Sequence, residues 1–311
     1  MKSHKKEIIT VAILMAAAVV IFAGILKPEA TQTKKCSLIY IPKIRDNTND
    51  FWTSVISGCK MAAEEYESDL EILAPDKEEN IEEQNKLLKK AIEQKPDAIL
   101  FSPSSMDASD ELLKEAKEKL QDLTVATDNV NAGRMLGEYA RKLIDKDSKI
   151  AIVSHVKGVS TAVEREQGFR EGLGDYADNI VDIVYCNSLY EKSYELAQEL
   201  MRKYPDLELI AGMNEYSAVG VGRAVSDAGA KDKIAVVGVD CSQEAINLME
   251  MGVYKGIIVQ KAFRMGYIGV EETIHMLNGD AVEKNIDSGC ELVTPENMYN
   301  SDIERLIFPF S

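Results

Sequence analysis

LIAGMNEYSAVGVGRAVSDAGAKDKIAVVGVD, Leu209 to Asp240, reads as strand, helix, strand. The apolar run Leu209 to Met213 stops at Asn214, the helix runs from Ser217 to Ala228, and Ile234 to Val239 stops at Asp240. Just downstream, Gly256 to Val259 stops at Gln260 in the same way. Short Val/Ile/Leu runs separated by helical stretches are buried strands of a parallel sheet, and ligands of open α/β sheets bind just beyond the carboxyl ends of such strands. Two amides and a carboxylate gathered there suit a ligand rich in hydroxyl groups.

The alternation continues in both directions. Strands are expected at Ser37 to Ile41, Leu70 to Ala74, Ala98 to Phe101, Lys149 to Val153 and Ile180 to Tyr185. Helices are expected at Phe51 to Tyr66, Asn80 to Gln94, Asp107 to Leu120, Asn129 to Ile144, Thr161 to Leu173, Glu191 to Lys203, Gln243 to Met251 and Phe263 to Leu277. In Asn80 to Gln94 the residues Ile81, Leu87, Leu88, Ala91 and Ile92 fall on one helical face, opposite the charges. Repeated βα units of this length predict an α/β fold of parallel sheets with helices on both faces. The 311 residues suffice for two packed domains.

A formal charge of -16 argues strongly against a nucleic-acid partner, because neutralising phosphates needs a basic surface. Ile8 to Leu26 carries no charge, follows Lys2, Lys5 and Lys6, and as a helix of about 28 Å would cross a bilayer core. Its exit, Lys27-Pro28-Glu29-Ala30, is a poor cleavage sequence, and no Cys closes the run as lipid attachment would require. The expectation is an uncleaved anchor with the short basic end in the cytoplasm and the remaining mass outside. Residues 1–35 are then stub, anchor and tether.

The five cysteines, Cys36, Cys59, Cys186, Cys241 and Cys290, include no CxxC pair, which argues against a metal site; they read as small buried apolar side chains, with a Cys36 to Cys290 bridge left open. Of three histidines, at 4, 155 and 275, His4 precedes the anchor, and His155, which follows a strand, has no Ser or Cys nucleophile in a recognisable motif with it. Gly220-Val221-Gly222 lies inside a helix without the third glycine of a dinucleotide fingerprint, and no phosphate loop occurs. Glu111, Lys114, Glu115, Lys117 and Glu118 are a solvated helix face. No catalytic residue, cofactor or metal is expected.

Five segments in order, DNTNDFW (Asp46 to Trp52), REQGF (Arg165 to Phe169), MNEYSAVG (Met213 to Gly220), VVGVD (Val236 to Asp240) and VQKAFRMGY (Val259 to Tyr267), resemble the type I periplasmic (solute) binding proteins of the ribose and galactose group. The resemblance covers roughly residues 37–300. It implies two doubly wound lobes joined by a hinge, 36–127 with 261–290 and 128–260 with 291–311, closing on a monosaccharide. It further implies that Asn49, Phe51 and Trp52 supply an amide and an aromatic wall, since sugar C–H faces stack on aromatic rings. Arg165 matches the arginine that forks onto sugar oxygens; the alternative is a surface ion pair with Glu164 or Glu166. Asn214, Asp240 and Gln260 match the polar strand ends of the second lobe, against the alternative of helix capping. Tyr190 is the candidate for a second aromatic wall.

One segment departs from the pattern. Family members place another strand, with a ligand-contacting loop, before Thr127-Asp128-Asn129, and here only Gln121 to Ala126 fills that space. Either a strand and its polar contact are lost, or Leu123 to Ala126 substitutes. The functional expectation is a membrane-anchored extracytoplasmic binding protein delivering sugar to an ABC transporter permease. The alternative is a sensor of the same fold signalling to a membrane histidine kinase.

Overall fold

The computed structural model describes residues 35–117 and 123–308. Strand β1 (Ser37–Ile41) is flanked in parallel by β2 (Asp69–Ile72) and β3 (Ala98–Phe101), in the order β2-β1-β3. Helices α1 (Asp50–Glu65) and α2 (Ile81–Gln94) make the crossovers, and α3 (Met106–Lys117) follows β3. Side chains alternate along β1 as a strand buried on both faces requires: Leu38 and Tyr40 enter the core under α1, and Ile39 and Ile41 pack with Leu88 and Ala91 of α2.

Strand β4 (Thr124–Ala126) pairs in parallel with β10 (Asn285–Asp287) and, among the described residues, with no other strand. Thr124 to Ala126 is therefore the strand before Thr127-Asp128-Asn129 and does not substitute for a neighbour of β3. The β2-β1-β3 sheet ends at β3 among the described residues, and of the short segment Gln121 to Ala126, residues 121 and 122 lie outside them.

The second sheet holds β5 (Lys149–Ser154), β6 (Ile180–Tyr185), β7 (Leu207–Gly212), β8 (Ala235–Val239), β9 (Tyr254–Gln260) and β11 (Cys290–Val293), in the order β11-β9-β8-β7-β5-β6. All pairs are parallel except β11 with β9. One core, with Ile210, Val236 and Ile257, lies under α6 (Tyr190–Lys203), α7 (Glu215–Asp227) and α8 (Gln243–Glu250). The other, with Leu209, Ala211, Val237 and Ile258, lies under α4 (Asn129–Ala140) and α5 (Ser160–Leu173). Helix α9 (Ala262–Leu277) returns to pack on α1, and α10 (Ser301–Ile307) closes the described chain. Strands β10 and β11 and helix α10 have no counterpart in the pattern-based reading, because they are short and lack a clear apolar period.

The connections between the two sheet systems lie side by side. Thr127 and Ser288 share a buried hydroxyl contact of 3.1 Å, Ser288 N–H donates to Ala126 O, and Lys261 N–H donates to Gly289 O. The possible Cys36–Cys290 bridge is not formed, and all five thiols are free. Cys36 precedes the amino end of β1, whereas Cys290 pairs with Gln260 at the carboxyl end of β9, so topology sends the two to opposite ends of their sheets. No helix of the described residues is long and apolar enough to cross a membrane; the expected anchor, Ile8 to Leu26, lies outside them.

Candidate functional site

The three polar strand ends meet as their positions predict, but each in its own way. Asp240 leaves β8 at φ +73°, buried, and accepts hydrogen bonds from Gln260 Nε2 at the end of β9 and from Glu215 N–H at the start of α7. Asn214 is the N-cap of α7, with its Oδ1 taking Ser217 N–H at 2.9 Å while Ser217 Oγ takes Asn214 N–H at 2.9 Å. The capping alternative thus holds for Asn214 and not for Asp240, since α8 is capped by Ser242.

Arg165 projects from α5 into this cluster and is only 4% exposed. Its Nε donates to Asn129 Oδ1 at 2.9 Å, its Nη1 donates to Met213 O at 2.7 Å, and Nη1 lies 3.7 Å from Asp240 Oδ2. The surface pair with Glu164 or Glu166 is therefore not the arrangement found. Burial pushes the Asp240 carboxyl up, against the pull of the Arg165 guanidinium.

The amino end of α1 faces this cluster. Asn49 caps α1 by accepting Trp52 N–H, and Phe51 meets Trp52 edge to face at 5.0 Å between ring centroids. Glu215, 1% exposed, reaches across to accept the N–H groups of Asp50 (3.2 Å) and Phe51 (3.0 Å) and the hydroxyl of Tyr190 (2.7 Å). Reciprocally, Asp50 accepts Gln243 N–H at the start of α8, and Asp46 accepts the Tyr216 hydroxyl at 2.7 Å. A carboxylate at each helix N-terminus is favoured by the unpaired N–H groups and the helix dipole. Burial nevertheless pushes the Glu215 carboxyl up to about 8, with nearby Asp240 adding to the effect.

All eight residues singled out from the sequence lie on this arc. Asn49, Phe51 and Trp52 stand on the β1 side, Arg165, Tyr190, Asn214, Asp240 and Gln260 on the other, and the Tyr190 ring packs on that of Tyr216 at 4.7 Å between centroids with the planes tilted by 49°. The sequence reading missed Glu215 and Tyr216, which stand inside the quoted MNEYSAVG segment, and Lys43 and Glu78, which follow β1 and β2. A charged residue directly behind an apolar run, as in Ile41-Pro42-Lys43, was the available signal for Lys43. Among the described residues no cluster of His, Cys, Asp or Glu is arranged to hold a metal ion.

Residues 40–281 match the family described as a periplasmic binding protein domain. The ribose import binding protein RbsB of Salmonella typhimurium is 26% identical over 63% of this chain and 70% of its own. A sugar transporter structure from Clostridium phytofermentans is 40% identical, with a TM-score of 0.77 over 84% of this chain and 99% of its own. A carbohydrate transporter solute binding protein from Agrobacterium radiobacter, in complex with D-arabinose, is 25% identical, with a TM-score of 0.81 over 88% of this chain and 99% of its own.

Proposed function

Because the chain belongs to the type I periplasmic binding proteins of the ribose-binding group, we propose that it is an extracytoplasmic protein that closes two lobes on a monosaccharide and delivers it to an ABC transporter. The lobes are 36–127 with 261–290 and 128–260 with 291–311, and the apolar run Ile8 to Leu26 holds the module at the membrane. The observation that carries the reading is the buried Arg165–Asp240–Gln260 cluster at the strand ends, joined through Glu215 to the amino end of the helix that bears Phe51 and Trp52. Fixed donors and acceptors in a low-dielectric cleft select hydroxyl geometry, and aromatic faces take the C–H side of a sugar ring.

Trp52 is the single tryptophan of the chain and stands in the first turn of α1, so its fluorescence reports on the end of that helix which meets Glu215. Titration of the full-length protein with D-ribose, D-arabinose, D-allose, D-galactose and D-fucose is expected to give a saturable change for at least one sugar. The same sugar at about 100 times its Kd should stabilise the fold by about 2.7 kcal/mol. No change with any member of the panel at millimolar concentration overturns the assignment. A second reading, the same module signalling to a membrane histidine kinase, is favoured by the absence of a lipid-attachment Cys after Leu26. Genes for a permease and an ATPase beside this one support transport; a kinase gene supports sensing.

A further inference from the structure

We propose that Lys43 and Glu78 are ligand contacts that set specificity, supplying from the loops after β1 and β2 the polar contact that the shortened first lobe lacks; this rests on the sugar-binding reading above. Both side chains are buried, Lys43 at 7% and Glu78 at 4% exposure, which for a lysine and a glutamate calls for a reason. Their loops stand at the carboxyl ends of their strands, the edge from which this class of sheet binds ligands. The backbone there is held by Gln84, whose buried amide donates to Pro42 O and Ser102 O and accepts Ser104 N–H.

The pair spans the same crevice as the strand-end cluster. Lys43 Nζ donates to Thr161 Oγ1 at 3.2 Å, and Glu78 accepts the hydroxyl of Ser188, so each reaches a residue flanking the second sheet. The charges of Lys43 and Arg165 act on each other, as do those of Glu78 and Asp240, which puts all four in one electrostatic neighbourhood. Thr161 Oγ1 also meets His155 Nε2 at 2.9 Å, while His155 Nδ1 is buried with no hydrogen-bond partner among the described residues. Burial, with Arg165 and Lys43 nearby, keeps this histidine neutral.

The geometry leaves bonding capacity for a ligand. Lys43 Nζ and Glu78 Oε1 are 3.6 Å apart, an ion-pair distance longer than a direct hydrogen bond, and an ammonium has three N–H donors. A sugar hydroxyl is donor and acceptor at once, so it can accept from Lys43 and donate to Glu78. A site built to hydrogen-bond a hydroxyl rejects analogues that lack it or point it elsewhere, because its own buried groups are then left unpaired.

The test is the paired variant Lys43→Met/Glu78→Gln in the full-length protein. Removing both charges together avoids stranding one of them in the interior. Trp52 fluorescence titrations with the five sugars above are expected to weaken for the best-bound sugar by at least about tenfold, a difference of 1.4 kcal/mol. The ratio of affinities between epimers should change as well. Unchanged affinities overturn the proposal, as does one common factor for every sugar, the signature of a mere strut between the lobes. If the paired variant lacks a cooperative thermal transition, Lys43→Arg, which keeps the charge and moves the donors, decides by the same ratios. A wild-type protein that binds none of the sugars brings down the sugar reading and this proposal together. A binding wild type with unaltered ratios in the variant brings down this proposal alone.

Discussion

Arg165, Gln260 and the first N–H of α7 all converge on the buried Asp240. Asp240→Ala leaves the Arg165 guanidinium buried without its counter-charge, a change of about 3–5 kcal/mol when one partner of such a pair is removed. The expected result is a loss of sugar affinity of at least about a hundredfold, read by Trp52 fluorescence. Asp240→Ala binding as wild type would place the ligand elsewhere. Glu215 makes a different prediction. Its native carboxyl titrates near 8, above the ordinary 4.5, so between those values the folded chain holds a proton that the unfolded chain has released. Stability from this group is therefore greatest at low pH and falls as pH rises through that window. Denaturant midpoints at pH 6 and pH 9 should drop less in Glu215→Gln than in wild type; equal slopes would exclude Glu215 as the source. Asp240 was legible in the sequence because it ends an apolar run. Glu215 was not, since a glutamate in the first turn of a helix is ordinary, and only its contact with a helix 164 residues earlier in the chain makes it special.

At the scale of elements, α4 and α5 pack through glycines. Gly133 and Gly137 on one helix and Gly168 and Gly172 on the other let backbones touch: a Cβ at Gly168 would stand 1.9 Å from Val130 O, and one at Gly133 would stand 2.3 Å from Arg165 O. This approach seats α5, and with it Arg165, over the ends of β7 and β8. Gly168→Ala should destabilise the protein by about 1–3 kcal/mol through overpacking. It should also weaken sugar binding by displacing Arg165. Gly269→Ala in α9 is the control, since a Cβ there meets only Leu100 Cδ2 at 3.6 Å and alanine is about 1 kcal/mol better than glycine in a helix. Its thermal midpoint should equal or exceed that of wild type, and a loss like that of Gly168→Ala would undo the close-packing account. Element type was readable throughout the body of the chain because apolar period is a local property. Helix ends were less so: the helix expected to Ile144 stops at Ala140, where Leu143 N–H turns back to Ala140 O.

Across the whole molecule the two sheet systems differ in completeness. The second is a six-stranded sheet buried on both faces, whereas β3 is paired on one side only and β4 pairs with β10 alone among the described residues. Amide hydrogen exchange should follow that difference, with β7 and β8 most protected and β3 and β4 exchanging sooner. Addition of the bound sugar should slow exchange at the amino ends of α1 and α7, which face each other through Glu215. Equal protection of β3 and β8 would contradict that order.

The sequence by itself determined the α/β class, the positions of the buried strands and the polar residues at their ends. Each of these is written in a run of a few neighbouring residues. Tertiary structure alone decided which strand lies beside β4, that Cys36 and Cys290 stay apart, and that Lys43, Glu78 and Glu215 are buried. Those outcomes depend on pairings between distant loops, Ser188 with Glu78 across 110 positions and Glu215 with Asp50 across 165, where the energy of a charge is set by the partner that folding brings to it.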